Sequence, residues 1–174
     1  MQIDKIPAGR NVPWDVNVII EITEGADPIK YEVDKESGAM YVDRFIHTAM
    51  HYPCNYGFIP GTLAADGDPL DVLVVCPHKV IPGAVIRCRP IGVLMMEDEA
   101  GGDEKVLCVP HDDLHPYHTN TVSWRNLPDI LIKQIGHFFE HYKDLEDGKW
   151  VKVAGWGEAE EAAALIAECI VKDG

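Results

Sequence analysis

Residues 66–75 read Asp-Gly-Asp-Pro-Leu-Asp-Val-Leu-Val-Val, an acidic turn that runs directly into an apolar strand. The glycine and the proline favour a tight turn, which crowds Asp66, Asp68 and Asp71 at the mouth of that strand. With charges about 5 Å apart and an effective dielectric of about 20, the three pairwise repulsions sum to an order of 10 kcal/mol. That cost rivals the stability of a whole domain, so water or bound cations must relieve it.

Two interpretations of this acidic turn stay open. Oxygen ligands without His or Cys suit Mg²⁺ or Mn²⁺, whereas an acidic turn that binds nothing is simply solvated. Spacing excludes a calcium-binding helical loop, because Leu70 and Pro77 stand where that loop needs ligands. A phosphatase with an Asp nucleophile is a weak match, because the strong strand follows Asp66 instead of preceding it.

A second acidic cluster, residues 97–104, follows the predicted strand that ends at Met96. Taken alone, such a charge run is more typical of a solvated hairpin loop. Two acidic clusters at strand ends in one small domain favour the metal interpretation. Several metals held by carboxylates are what an in-line displacement at phosphorus uses.

The composition limits the class of protein and its partners. The chain has 174 residues, of which 15 are basic and 29 acidic, and 47% are hydrophobic. This apolar share excludes a disordered chain and predicts a single domain over residues 1–174. The net charge of −14 disfavours nucleic acid, whose backbone is bound mainly by Lys and Arg.

The sequence also indicates a compartment. No apolar run approaches the roughly 18 residues that a membrane span needs, and no apolar segment follows the first basic residue, so we expect neither a membrane span nor a secretory signal. The five cysteines form no Cys-x-x-Cys pair, which favours reduced thiols. We therefore expect a cytoplasmic protein.

Hydrophobic periodicity predicts an α+β domain, a small closed or partly closed barrel with helices packed on it. Strands are predicted at 16–22, 29–33, 40–45, 72–76, 84–96 and 105–109, and helices over 128–142 and from about 158 onward. Alternation places Lys30 and Glu32 on one face of their strand, and Arg44 on the next strand extends that polar surface. The alternative is an ordinary sheet with a solvated outer face.

Two further segments are candidates for ligand contact. The aromatic, turn-rich segment 52–61 precedes the acidic turn, and the hydroxyls of Tyr52 and Tyr56 could reach a polar ligand or simply belong to a half-buried core. Tyr142 and Lys143 end the first predicted helix. They could bind an anion. Alternatively, Lys143 could simply be a cation that interacts favourably with the negative end of the helix dipole.

Together these residues closely resemble the soluble family I inorganic pyrophosphatases in their compact bacterial form. Residues 66–72 are similar to the family's signature, and the resemblance extends from about Ile3 to the last helix. Companion motifs occur in the family's order and spacing: Glu21, Lys30-Tyr31-Glu32, Arg44, Tyr52-Pro53-x-Asn55-Tyr56-Gly57, Asp98-Glu99, Asp103-x-Lys105 and His137-Phe138-Phe139-Glu140-x-Tyr142-Lys143.

The resemblance implies a five-stranded closed barrel of the oligonucleotide-binding (OB) type, with additional short strands and two helices from the C-terminal half. It implies Mg²⁺-dependent hydrolysis of pyrophosphate to two orthophosphates, by in-line attack of a metal-bridged water and without a covalent intermediate. Asp68 would take the proton from that water. Several Mg²⁺ ions would bind per subunit, with Mn²⁺ or Zn²⁺ as possible substitutes.

The resemblance also assigns the binding residues. Metal ligands would be Asp66, Asp71, Asp103, Asp98, Glu32 and Glu21. Substrate ligands would be Lys30, Arg44, Tyr56, Lys105, Tyr142 and Lys143. Tyr52 and Glu99 would support these side chains.

Bacterial members of the family assemble as hexamers, which implies that His137, His141 and Asp144 lie near a subunit interface. A zinc site on the two histidines is an alternative, although no third ligand is evident. Two rival functions also stay open: a barrel that binds divalent metal or a nucleotide without catalysis, and a structural acidic domain that binds neither. Phosphate release from pyrophosphate with and without Mg²⁺ separates all three.

Overall fold

The computed structural model describes residues 1–171. Its strands are Gly9–Asn11 (β1), Asp15–Ile22 (β2), Ile29–Val33 (β3), Met40–Phe45 (β4), Asn55–Phe58 (β5), Asp71–Val74 (β6), Val85–Asp98 (β7), Gly101–Gly102 (β8), Lys105–Pro110 (β9) and Val151–Glu158 (β10). The α-helices are Asp129–His141 (α1) and Ala159–Cys169 (α2). Neither helix has the length and apolar content needed to cross a membrane.

Five strands close into a ring. β2 pairs with β5, β5 with β6, β6 with β9 and β9 with β7, and β7 returns to β2. Only β6 and β9 are parallel among these pairs. The predicted α+β class and the five-stranded closed barrel are therefore confirmed. β1 and β10 extend the sheet from β2 and β7, while β3 and β4 form a separate hairpin.

The six predicted strands correspond to β2, β3, β4, β6, β7 and β9, with ends that differ by at most two residues. The sequence did not predict β1, β5, β8 and β10, of which β1 and β8 contain only three and two residues. β5 lies in a segment rich in turn formers, and its Gly57 is required because a Cβ there would lie 1.9 Å from the Ile19 carbonyl oxygen. β10 contains two glycines and a β-bulge, which interrupt the alternation of apolar and polar residues by which a strand is predicted.

The two faces of the barrel strands build two different hydrophobic cores. Val72 packs in a core with Ile166 of α2, whereas Leu73 packs in another core with Phe139 of α1. Because both faces are buried, these strands read as continuous apolar runs. Asp71 shares its face with Leu73, so its carboxylate points towards the side of the barrel that α1 covers.

Both predicted helices are confirmed. α1 buries four apolar side chains in the first core, namely Ile132, Ile135, Phe138 and Phe139. α2 begins where the sequence indicated, with a capping box in which Glu161 accepts a hydrogen bond from the Glu158 N–H at 2.6 Å. Ala162 and Ile166 are its most deeply buried residues.

An ion pair joins β2 to β7 where the ring closes. Arg87 donates from Nε to Asp15 Oδ1 at 2.7 Å and from a terminal nitrogen to Oδ2 at 2.6 Å. Two parallel bonds of this kind make a strong, directional pair. The hydrogen bond from Arg87 lowers the pKa of Asp15 below its usual range.

We predict that Asp15→Asn lowers the melting temperature at pH 7 by about 5 °C, because one partner of a largely buried charged pair is lost. The folded pKa of Asp15 is lower than the unfolded one, so its contribution is complete above the unfolded value and disappears as pH falls through the folded value. The melting temperatures of both proteins, measured between pH 7 and pH 2.5, should therefore begin to converge only as the pH falls below about 4. Asp129→Asn, which loses an exposed ion pair with Lys133, serves as the control and should change the melting temperature much less. A difference in melting temperature that persists unchanged to pH 2.5 would contradict the stabilising role of the Asp15 carboxylate.

Candidate active site

A cavity of about 310 Å³ gathers nearly all of the side chains that the sequence singles out. Its polar lining consists of Glu21, Glu32, Asp66, Asp68, Asp71, Asp98, Asp103, Lys30, Lys35, Arg44, Lys105, Lys143, Tyr52, Tyr56 and Tyr142. Glu99 lies beside the cavity, with its Oε1 3.7 Å from Lys143 Nζ. The 66–71 turn and the 98–103 loop, far apart in sequence, thus border one space.

The parallel pairing of β6 and β9 brings Asp71 next to Lys105. Val72 lies opposite Val106, so the residues that precede them are neighbours as well. Lys105 Nζ donates to Asp71 Oδ2 at 2.8 Å and to Asp103 Oδ1 at 3.0 Å. Burial opposes the charge on Lys105, but the two carboxylates outweigh it and raise the pKa of the ammonium. One buried cation therefore bridges the two acidic segments.

A second buried cation holds the end of β7. Lys143, two residues beyond α1, donates from Nζ to Asp98 Oδ2 at 2.7 Å. Burial would raise the pKa of Asp98, yet the hydrogen bond from Lys143 prevails and lowers it. Lys143 therefore faces the acidic loop, and its position is not explained by the helix dipole alone.

The β3–β4 hairpin supplies one wall of the cavity. Lys30 lies opposite Arg44 in the register of the two strands, and Lys30 Nζ is 2.6 Å from Glu32 Oε1. All three side chains line the cavity, on the common polar face that alternation predicts.

Several acids lie close together in the cavity, and one of them, Glu21, is buried. Glu21 Oε1 accepts a hydrogen bond from the Val33 N–H at 2.8 Å. Burial nevertheless raises the pKa of Glu21 to about 8, and the negative charges of Asp71 and Glu32 add to that effect. Burial raises the pKa of Asp66 as well. The negative charges of Asp68, Asp103 and Asp71 add to the effect at Asp66, so the repulsion expected from the acidic turn is present at this side chain.

Three tyrosines and α1 form the aromatic wall. The ring of Tyr52 lies 4.8 Å from that of Phe138, and the ring of Tyr142 lies 5.5 Å from that of Phe139. Burial raises the pKa of Tyr52, Tyr56 and Tyr142, so each phenol stays a protonated hydrogen-bond donor at neutral pH. Both interpretations of these tyrosines hold, because each packs in the core and lines the cavity.

The donor set fits a hard divalent cation. Within residues 1–171, neither His nor Cys lines the cavity, and its acids offer carboxylate oxygens as metal ligands. Oxygen ligands are those that Mg²⁺ and Mn²⁺ prefer. In that same range, no three His, Cys, Asp or Glu side chains converge closely enough to form a ready-made metal cluster. Lys105 and Lys143 instead neutralise part of the acidic charge. Carboxylates that bind divalent ions beside fixed cations are the class of site used by phosphoryl-transfer hydrolases.

The comparisons with known proteins agree with this class. Residues 18–172 match the family model described as inorganic pyrophosphatase. The inorganic pyrophosphatase of Caulobacter vibrioides is 62% identical over 170 residues, which cover 98% of this chain and 96% of the relative. That of Rhodospirillum rubrum is 64% identical over 166 residues, covering 95% and 93% respectively. A crystal structure of an inorganic phosphatase from Anaplasma phagocytophilum matches with a TM-score of 0.94 at 52% identity, covering 95% of this chain and 97% of that one. The chain therefore belongs to the inorganic pyrophosphatase family.

Two side chains near the cavity were not predicted from the sequence. Lys35, in the turn of the β3–β4 hairpin, places its Nζ 3.8 Å from Asp68 Oδ1. Glu146, in the turn after α1, accepts a hydrogen bond from Arg44. Neither residue belongs to a local sequence motif, so only the tertiary contacts reveal that they lie near the cavity.

The three residues expected at a subunit interface lie outside the cavity. His137, His141 and Asp144 are exposed at the C-terminal end of α1. The rings of the two histidines are 4.7 Å apart, and His141 Nδ1 is 2.8 Å from Asp144 Oδ2. In residues 1–171 no third ligand completes a zinc site with them.

We predict that Lys105→Met destabilises the metal-free protein by about 3 kcal/mol, because Asp71 and Asp103 lose the cation that they share. Urea unfolding in the presence of a chelator measures this change. Lys35→Met is the matched control, since Lys35 is half exposed and its loss should cost less than about 0.5 kcal/mol. Equal stability of Lys105→Met and wild type would refute the bridging role of the ammonium.

Proposed function

We propose that the chain, as a single domain over residues 1–174, hydrolyses inorganic pyrophosphate to two orthophosphates in a Mg²⁺-dependent, in-line reaction without a covalent intermediate. Family membership and the names of its relatives support the substrate. The observation that carries the proposal is the convergence of the 66–71 turn and the 98–103 loop on the buried ammonium of Lys105.

Six acids on the cavity wall would hold the cations. They are Asp66, Asp71, Asp98, Asp103, Glu32 and Glu21. Bound Mg²⁺ supplies positive charge that lowers the pKa of water and neutralises the phosphate oxygens, with Mn²⁺ or Zn²⁺ as substitutes. The raised pKa of Glu21 and of Asp66 supports this use, because these crowded carboxylates gain most from a nearby cation.

Fixed donors that line the same cavity would bind the two phosphoryl groups. They are Lys30, Arg44, Lys105, Lys143, Tyr56 and Tyr142. Charged donors held by packing orient an anion for in-line attack without further ordering. Tyr52 supports Tyr56, whose ring is 5.6 Å away, and Glu99 supports Lys143.

Asp68 would act as the general base and take a proton from the attacking water at its carboxylate. The Asp68 N–H donates to Asp66 Oδ1 at 3.0 Å, which fixes the turn. Gly67 permits that turn because its φ is +91°. The Asp68 side chain is largely exposed, so it is free to contact a water at the cavity rim.

We predict that Asp68→Asn lowers kcat for phosphate release by about 10²- to 10⁴-fold, because the side-chain volume is kept while the proton acceptor is lost. Phosphate release from pyrophosphate is measured with Mg²⁺ and with a chelator, and the chelator should abolish it in wild type. Asp4→Asn, at an exposed acid outside the cavity, is the control. Undiminished turnover by Asp68→Asn would remove Asp68 from the base role. A wild-type protein that binds Mg²⁺ but releases no phosphate would favour a non-catalytic binding barrel instead.

We also propose that the enzyme is a cytoplasmic homohexamer. Cys54, Cys76, Cys88, Cys108 and Cys169 are all free and at least half-buried, as expected in a reducing compartment. The exposed His137, His141 and Asp144 would lie at a contact between subunits.

Sedimentation velocity should accordingly give a species of roughly six times the 19.3 kDa chain mass. Asp144→Lys reverses a charge beside His141 and should shift the distribution to smaller species. A wild-type protein that sediments as a monomer would contradict the hexamer, and an unshifted Asp144→Lys would remove this surface from the interface.

A further inference from the structure

We propose that Glu146 is a positioning residue, which sets the orientation of the Arg44 guanidinium for a substrate phosphate. This inference rests on the function proposed above. Arg44 donates a hydrogen bond from a terminal nitrogen to Glu146 Oε1 at 2.7 Å, across a separation of 102 residues. The pair joins the β3–β4 hairpin to the turn that follows α1.

The pair is shielded from solvent. The side chain of Arg44 is 21% exposed and that of Glu146 only 11%. Water and salt therefore screen it less than a surface pair, whose contribution is usually small. A charge-assisted bond in such surroundings restricts the guanidinium to one orientation.

The contact with Glu146 leaves other donors of Arg44 available. Among residues 1–171, Arg44 Nε and Glu146 Oε2 are both buried without a hydrogen-bond partner. Asp43 Oδ2 lies 3.9 Å from Arg44 Nε, which is too far for a hydrogen bond. A second bond between Arg44 and Glu146 would have satisfied both atoms. The single-point contact instead holds the side chain while sparing donors for a ligand in the cavity that Arg44 lines.

The contact with Glu146 adds a second tether to the hairpin. β3 and β4 form their own two-stranded sheet without a backbone ladder to the ring strands. The bond from the Val33 N–H to Glu21 of β2 holds β3, whereas Arg44 lies on β4. The turn that carries Glu146 is itself fixed, since the Glu146 N–H donates to the Lys143 carbonyl at 2.9 Å. Lys143 in turn holds Asp98. One turn therefore sets the spacing between two cations on different walls of the cavity.

Loss of Glu146 should weaken substrate binding and leave the chemical step unaffected. Without Glu146 the long Arg44 side chain samples several rotamers, and the free energy of ordering it must be supplied when the anion binds. Proton transfer to Asp68 does not involve this pair. Loss of Glu146 should therefore raise KM with little change in kcat.

The test compares steady-state pyrophosphate hydrolysis by wild type, Glu146→Ala, Glu146→Gln, Arg44→Ala and the double variant Arg44→Ala/Glu146→Ala. Glu146→Ala should raise KM roughly ten-fold and change kcat less than about two-fold. Glu146→Gln keeps an acceptor oxygen and should restore part of the affinity. In the Arg44→Ala background, Glu146→Ala should add less than about a two-fold change, because the effect acts through Arg44.

Asp147→Asn removes one negative charge from the next, exposed position and should leave KM and kcat unchanged. Thermal melts identify a variant that fails to fold. If Glu146→Ala fails to fold, Glu146→Leu replaces it, because leucine fills similar space without an acceptor oxygen, and a KM for Glu146→Leu equal to that of wild type overturns the proposal. A normal KM for Glu146→Ala, or a full ten-fold effect in the Arg44→Ala background, also overturns it while wild-type hydrolysis stands. A wild type without hydrolysis overturns the proposed function, and this inference with it.

Discussion

The ammonium of Lys105, buried between Asp71 and Asp103, is the interaction on which the site depends. In a chain of net charge −14, seven acids border one cavity, and their mutual repulsion must be offset inside the fold. Lys105 and Lys143 offset part of it with charges that packing fixes in place. Under the proposed function, the remaining negative charge would attract divalent ions, and these in turn would attract a phosphate anion.

The closed ring explains why these groups meet. Parallel pairing of β6 with β9 aligns Asp71 and Lys105, and the antiparallel return of β7 brings the Asp98 loop to the same end of the barrel. α1 covers that side of the barrel and delivers Tyr142 and Lys143 from its C-terminal end. The barrel strands and the loops that join them supply most of the acids. The hairpin supplies Lys30, Lys35 and Arg44, and the turn after α1 supplies Lys143. Ion pairs that already hold these groups in place would limit the reorganisation that catalysis requires.

Sequence reasoning succeeded where a local pattern carries the information. The acidic turn before β6, the alternation of β3 and the helical period of α1 each follow from neighbours within a few residues. It failed at β5, where Gly57 looks like a turn former but is required by the close crossing of β2. It also missed Glu146 and Lys35, because their partners are distant in the sequence: Arg44 lies 102 residues from Glu146, and Asp68 lies 33 residues from Lys35.

The sequence by itself determined the residue types of the site, their order and, through a family resemblance, the expected closed barrel. Composition and spacing suffice for this, because carboxylates, ammonium groups and phenols keep their chemistry in any fold. Only the tertiary structure decided which acid shares which cation, which carboxylate has a raised pKa and which arginine is tethered. Those properties depend on distance and burial, which arise when strands remote in the chain pair and exclude water.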